Sequence, residues 1–266
     1  MLLPEGISWM THSLAHEAIA ATLLVCSATP TIAGGQPIRT DANLVTALDV
    51  SDSIMRHEEW LEFEGLAKAV TSAALLDAIA SGQHGRSGFA VFTWSSGGRF
   101  ELLVPWTLIA SIADAERVAT MLRRAPRIDR RGWVRYSARR EMPPSGTDLR
   151  TDVSATIDFA IDLALVAPYS ATRSIVNVCG NGRDNVGTGP RAARDRAVAT
   201  GMTVNGLVLG AKDGLAGYFR EHVQGGAGSF VIEVTRPEAL PAAMVQKLLR
   251  DLVAARSPPA RRASLT

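Results

Sequence analysis

The chain has 266 residues, 47% hydrophobic and 20% charged, with a formal net charge of +2. This composition supplies the core of one large domain or two small ones and excludes a disordered chain. So small a net charge gives no overall reason to expect a nucleic acid or an anionic membrane as partner, and two cysteines, Cys26 and Cys179, exclude a disulfide framework or a cysteine zinc cage.

Residues 1–38 contain no Lys or Arg. The apolar run Ala18 to Cys26 leads to Thr31-Ile32-Ala33 and then Gly34-Gly35. This resembles a secretory leader in its apolar stretch and small-residue end, but it lacks the basic first segment. Two expectations stand: an export signal, giving a periplasmic or secreted protein, or a disordered N-terminus on a cytoplasmic one. The run is too short to span a bilayer, so no transmembrane segment is predicted.

From residue 43 strands alternate with helices. Residues 43–49 are almost continuously apolar, as in a strand buried on both faces. Residues 55–80 read as one helix, with Met55, Leu61, Leu66, Val70, Leu76 and Ile79 on its apolar side. A strand over 87–94, the turn Gly97-Gly98 and a strand over 99–106 predict an antiparallel hairpin. Helices follow over 111–125 and 151–166, then a strand at 173–179, a helix at 191–199 and a strand at 202–209. A helix at 215–223, a strand at 229–234 and a helix from Pro237 to Val253 complete the pattern, proline being well suited to a helix start. Residues 256–266 are expected to form a disordered tail. The alternation predicts an α/β fold: a three-layer α/β/α sandwich with a mostly parallel central sheet and one antiparallel edge strand, in one domain over 39–255.

Ligands of such folds bind beyond the carboxyl ends of the strands. Asp49, Ser51 and Ser53 stand at such an end. A carboxylate and two hydroxyls at alternate positions offer hard oxygen donors for a divalent cation. The string alone is not specific, because Asp/Ser runs are common in turns. Two later segments are expected at the same edge. Ser145-Gly146-Thr147-Asp148 precedes the helix at 151 and offers the Thr147 hydroxyl. Gly180 to Asn185 follows a strand and offers the oxygens of Asn181 and Asp184. There is no G-x-S-x-G elbow, no Walker A string and no H-E-x-x-H; Gly180, Gly182 and Gly187 do not match G-x-G-x-x-G.

The set Asp49, Ser51, Ser53, Thr147 and the Asn181 loop resembles the metal-ion-dependent adhesion site of von Willebrand factor A (vWA) domains. The segments at 82–86, 104–109, 204–207 and 225–230 resemble, in the same order, a bacterial branch of that fold, domain-of-unknown-function family 1194. The likeness covers roughly 41–255. It implies a non-enzymatic protein-binding module holding Mg2+, or Mn2+ or Ca2+, through Asp49, Ser51, Ser53 and Thr147, assisted by Asn181 and Asp184. The implied partner is a protein offering an Asp or Glu to the ion. The chain departs from the family in having Asn181 where the loop carries Asp, and Asn177 and Cys179 where the branch tends to have Asp and Ser. Asn keeps an oxygen and removes a charge, which leaves both a weaker working site and a vestigial one open.

An arginine-rich insertion is expected over 123–144, directly before Ser145. Arg130, Arg131, Arg135, Arg139 and Arg140 lie among Trp133 and Tyr136, a combination suited to gripping an anionic partner. Asp129 and Glu141 within it fit a solvated loop as well. The alternatives to cation-dependent binding are an anionic partner held by these arginines beside a vestigial metal site, or a nucleotide-binding enzyme using the 180–187 loop. No specific nucleic acid is predicted.

Overall fold

The computed structural model describes residues 36–125, 150–210 and 212–256. A short first strand β1 (Ile38–Thr40) is followed at once by β2 (Ala42–Asp49), every residue of which is buried. Next come helices α1 (Arg56–Val70) and α2 (Ala73–Ala80), strands β3 (Ser87–Trp94) and β4 (Phe100–Ile109), and helix α3 (Ile112–Arg124). The second half runs α4 (Val153–Leu165), β5 (Tyr169–Ala171), β6 (Ser174–Gly180), α5 (Arg191–Ala199) and β7 (Thr203–Leu209). Helix α6 (Leu215–Tyr218) widens into a π-helical turn through Val223, and β8 (Val231–Val234) and α7 (Leu240–Arg256) end the described chain.

The six-stranded sheet has the order β4-β3-β2-β6-β7-β8, and β1 pairs with β5 in a separate parallel ladder. All neighbours in the main sheet are parallel except β3 and β4. That antiparallel pair turns on Gly97 and Gly98, at φ 71° and 69°, a left-handed pair of positions open to glycine at little cost. Alternation along the strands divides the core. Leu44 and Leu48 of β2, with Phe89, Val91, Ile175 and Leu207, pack against Phe63, Leu66, Leu122, Met244 and Leu248 from α1, α3 and α7. Val45 and Ala47, with Phe92, Trp94, Val176 and Val208, pack against Ile157, Ala160, Ala193 and Phe219 from α4, α5 and the π-turn. This is the expected three-layer sandwich.

Where one helix is expected over 55–80, two form. The Ser72 hydroxyl accepts from Leu75 N at 3.3 Å, capping α2, and donates to the Ala69 carbonyl at 2.8 Å. The Thr71 hydroxyl donates to the Ala67 carbonyl at 3.0 Å. Side-chain oxygens thus take over backbone bonds at the junction, the usual way Ser and Thr interrupt a helix.

Between β6, β7 and α7 lies a buried ionic network. Lys247 Nζ donates to Asn177 Oδ1 at 2.5 Å and lies 3.4 Å from both oxygens of Asp251. Asp251 also accepts from Asn177 Nδ2 at 2.7 Å and Asn205 Nδ2 at 2.8 Å, while Asn205 Oδ1 accepts from Phe230 N at 2.9 Å. The Lys247 ammonium faces the Phe230 ring at 5.0 Å. Burial lowers the pKa of Lys247 and raises that of Asp251, and each partner's charge opposes the other's shift.

The chain leaves β2 toward β3 on one side, whereas β6 adjoins β2 on the other and leads on to β7. This is the topological switch point of the sheet, where α/β folds place ligands, and the loops after β2 and β6 meet there.

Candidate metal centre

Asp49 is the last residue of β2 and is fully buried. Its Oδ1 accepts from Ser51 N at 2.8 Å, an Asx-type turn that swings the chain over the end of the sheet. Ile54 N then bonds the Ser51 carbonyl at 3.0 Å, and Glu58 accepts from Met55 N at 2.9 Å at the start of α1. These bonds hold Ser51 and Ser53 with their hydroxyl oxygens 3.1 Å apart. Ser51 is buried and Ser53 exposed, so the pair runs from the interior to the surface.

Asn181 arrives from the end of β6. Its Oδ1 accepts from the Ser53 hydroxyl at 2.5 Å, and its Nδ2 donates to the Ser53 carbonyl at 2.8 Å. Its backbone N lies 3.4 Å from Asp49 Oδ2. Gly180 makes this approach feasible, because a Cβ there would stand 3.0 Å from Asp49 Oδ2 and 3.2 Å from Trp94 Cζ2. The structure thus brings Asp49, Ser51, Ser53 and Asn181 together.

Asp184 serves the same loop in another way. Its Oδ2 accepts from Ser154 N at 2.9 Å in the first turn of α4, and its Oδ1 accepts from Val186 N and Gly187 N, each at 3.2 Å. Its carboxylate is therefore engaged by backbone N–H groups and shapes the loop at a helix N-terminus, where negative charge is favoured. Thr147 and the arginines Arg130, Arg131, Arg135, Arg139 and Arg140 lie outside the described residues. Arg123 and Arg124, at the head of the arginine run, belong to α3, and Arg123 bonds Glu64 of α1 at 3.0 and 3.2 Å.

Two residues at this edge escape the sequence reading. Thr151 is buried just before the Asp152 N-cap of α4. Its backbone exchanges two 3.0 Å bonds with Asn185, N to Oδ1 and O from N. Its hydroxyl lies so close to Gly182 that a Cβ there would stand 2.8 Å away. A threonine immediately before a helix cap is the available signal, and Thr147 four residues earlier competes with it. The other is Lys212, beyond β7, whose Nζ donates to the Asn181 carbonyl at 2.6 Å.

Burial pushes the Asp49 carboxyl up to about 6, opposed by hydrogen bonds from Ser51 and Asn181 and by the Lys212 charge. It is a desolvated acid at the carboxyl edge of the sheet. The donors are all oxygens, as a hard divalent cation requires, and adjacent ligands of an octahedral Mg2+ stand about 2.9 Å apart. The 3.1 Å between the serine hydroxyls fits that spacing. The donor set fits a cation through hydroxyls and an amide; no three His, Cys, Asp or Glu side chains converge to hold an ion among the described residues.

Residues 39–256 match the family described as protein of unknown function (DUF1194). The chain belongs to that family. No curated protein matches it. The DUF1194 domain has the vWA fold. The vWF domain of the type V pili tip protein Mfa5 from Porphyromonas gingivalis aligns with a TM-score of 0.53 at 9% identity, covering 87% of this chain and 99% of that one. A von Willebrand factor type A protein from Catenulispora acidiphila aligns at 0.51 and 13%, covering 80% and 43%. Proximal thread matrix protein 1 from the mussel byssus, solved with a zinc-occupied MIDAS motif, aligns at 0.50 and 15%, covering 83% and 50%. The chain spans about half the length of the byssus protein. Among the described residues of the DUF1194 domain, no helix is long and apolar enough to cross a membrane.

Proposed function

We propose that this DUF1194 domain is a non-enzymatic, cation-dependent protein-binding module. A divalent cation, Mg2+ or alternatively Mn2+ or Ca2+, is held by Asp49, Ser51, Ser53 and a threonine hydroxyl, with Asn181 assisting. The observation that carries this reading is the convergence of Asp49, the two serine hydroxyls and Asn181 at the switch point between β2 and β6. Thr151 is supported as the threonine by its burial against Gly182; Thr147 is the candidate from sequence. The zinc-occupied motif of the byssus protein gives a precedent on the same fold.

The chemistry of the bound ion is simple. An ion held there by one protein carboxylate, Asp49, and neutral oxygens would supply a Lewis-acidic centre able to take an Asp or Glu of a partner. The chain's own residues orient the donors. Asp49 fixes the Ser51 backbone, and Asn181 clamps Ser53 through two bonds. Export of the protein through its leader-like N-terminal residues agrees with the occurrence of this fold in Mfa5, a pili tip protein.

Calorimetric titration with MgCl2 tests the reading. Binding in the micromolar to millimolar range is expected, weakened about tenfold or more by Ser53→Ala, with Thr151→Ala and Thr147→Ala deciding which threonine takes part. Absence of any heat at millimolar Mg2+ with folded protein removes the cation from the function.

A further inference from the structure

The charge beside Asn181 carries a further inference, one that rests on the cation site proposed above. Lys212 stands in the turn that follows β7. Gly210, at φ 82°, bends the chain there, and its N–H bonds the Val234 carbonyl at 2.8 Å. The Lys212 carbonyl accepts from Leu215 N at 3.1 Å, which fixes the backbone at the start of α6. The ammonium reaches back 31 residues to the Asn181 carbonyl at 2.6 Å. It is therefore anchored at both ends, beside the loop that supplies Asn181 Oδ1 to Ser53. Its field is felt at Asp49, where it favours the ionised carboxylate.

We propose that Lys212 is the resident cation of this site and sets its affinity for a divalent ion. Lys212 offsets the charge of Asp49 before any ion arrives, and Asn181 adds no charge. A dication entering this edge meets a like charge, so it binds more weakly than the oxygen donors alone allow. An incoming partner carboxylate meets Lys212 as well as the ion. The site thus discriminates against a cation bound alone and favours a cation bound together with an acidic group. This differs from a decayed site, because the weakness is built from an anchored side chain and is removable by one substitution.

The test is titration with MgCl2 alone of wild type, Lys212→Gln and Lys212→Arg, by calorimetry, with thermal unfolding as a second readout. Gln keeps a side chain able to donate to the Asn181 carbonyl and removes the charge; Arg keeps the charge. Lys212→Gln is expected to bind Mg2+ about five- to tenfold more tightly than wild type, the scale of a unit charge acting on a nearby dication through solvent-like surroundings. Its Tm should rise more with Mg2+ than that of wild type, and Lys212→Arg should match wild type. Equal or weaker Mg2+ binding by Lys212→Gln, with wild type binding normally, overturns the role of Lys212 and leaves the cation site standing. Binding by Lys212→Gln and not by wild type upholds the role of Lys212 in its strongest form, a native site that takes no cation without an accompanying acidic group. No binding by any of the three ends both readings.

Discussion

Strand β6 carries two asparagines four residues apart in sequence, Asn177 within it and Asn181 just beyond it, and they sit in opposite kinds of polar cluster. Around Asn177 the charged and amide side chains have partners: Lys247 and Asp251 neutralise one another, and Asn205 closes the ring. Around Asn181 the buried carboxyl of Asp49 is raised to about 6 by desolvation, and Ser53 leads out to solvent. A closed network holds helices to a sheet and offers nothing to a ligand. An open one leads from a buried acid to a donor oxygen at the surface, which is what a binding edge requires. The asparagine is the same in both; its surroundings decide its role.

The comparison breaks most visibly at Lys247. Lys247→Met leaves Asp251 buried without its counter-charge and should cost about 3–5 kcal/mol in urea unfolding. Lys247→Met with Asp251→Leu should recover most of that loss, because an ion pair replaced by apolar side chains is often close to neutral. Neither change should alter Mg2+ affinity of the protein that remains folded. A loss below about 1 kcal/mol in the single variant contradicts a closed, structural network.

Glu62 of α1 sharpens the contrast, since it belongs to neither cluster. It is fully buried, and neither carboxyl oxygen has a hydrogen-bond partner among the described residues. Burial raises its pKa well above the ordinary 4.5, and the nearby charges of Asp49, Glu59 and Glu58 push it further the same way. The folded state therefore keeps a proton that the unfolded chain releases above pH 4.5. The sign follows: Glu62 lets stability fall as pH rises from that value toward its folded pKa. Glu62→Met should stabilise by about 2 kcal/mol at pH 8, the scale of an unpaired buried polar group, and by less at pH 4.5. Urea midpoints at the two pH values check this; an equal gain at both would mean that Glu62 does not titrate differently on folding.

The fold was largely legible because its central strands are buried on both faces and their sequences say so: Asn43 to Asp49 and Ser174 to Gly180 are nearly continuous apolar runs with small polar interruptions. The hairpin was legible in Gly97-Gly98. The break between α1 and α2 was not, because the apolar period continues through Thr71 and Ser72 and only their hydroxyl bonds end the helix. Strands β1 and β5, three residues each, are too short to show a period. At the site, the convergence of Asp49, Ser51, Ser53 and Asn181 was legible from spacing and resemblance. Asp184 offered the same oxygens in sequence, and only its three backbone N–H partners reveal its work as a loop brace. The network of Lys247 and Asp251 was not legible, since a sequence does not say which face of α7 meets the sheet. Lys212 gave no signal, because its effect depends on a contact between two loops 31 residues apart.

The smallest expected effect tests the open cluster directly. Asn181→Asp keeps the oxygen that meets Ser53 and adds a negative charge beside Asp49. Without metal the variant loses the Nδ2 donor to the Ser53 carbonyl and places a second acid next to a desolvated one, so its unfolding free energy should fall by about 1 kcal/mol. With Mg2+ the balance reverses, because the added charge attracts the dication: affinity should rise about tenfold, or 1.4 kcal/mol. The two measurements move in opposite directions only if Asn181 faces the ion. If Asn181→Asp lowers stability and leaves Mg2+ affinity unchanged, Asn181 is a clamp for Ser53 and the open cluster is closer in kind to the network around Asn177 than its geometry suggests.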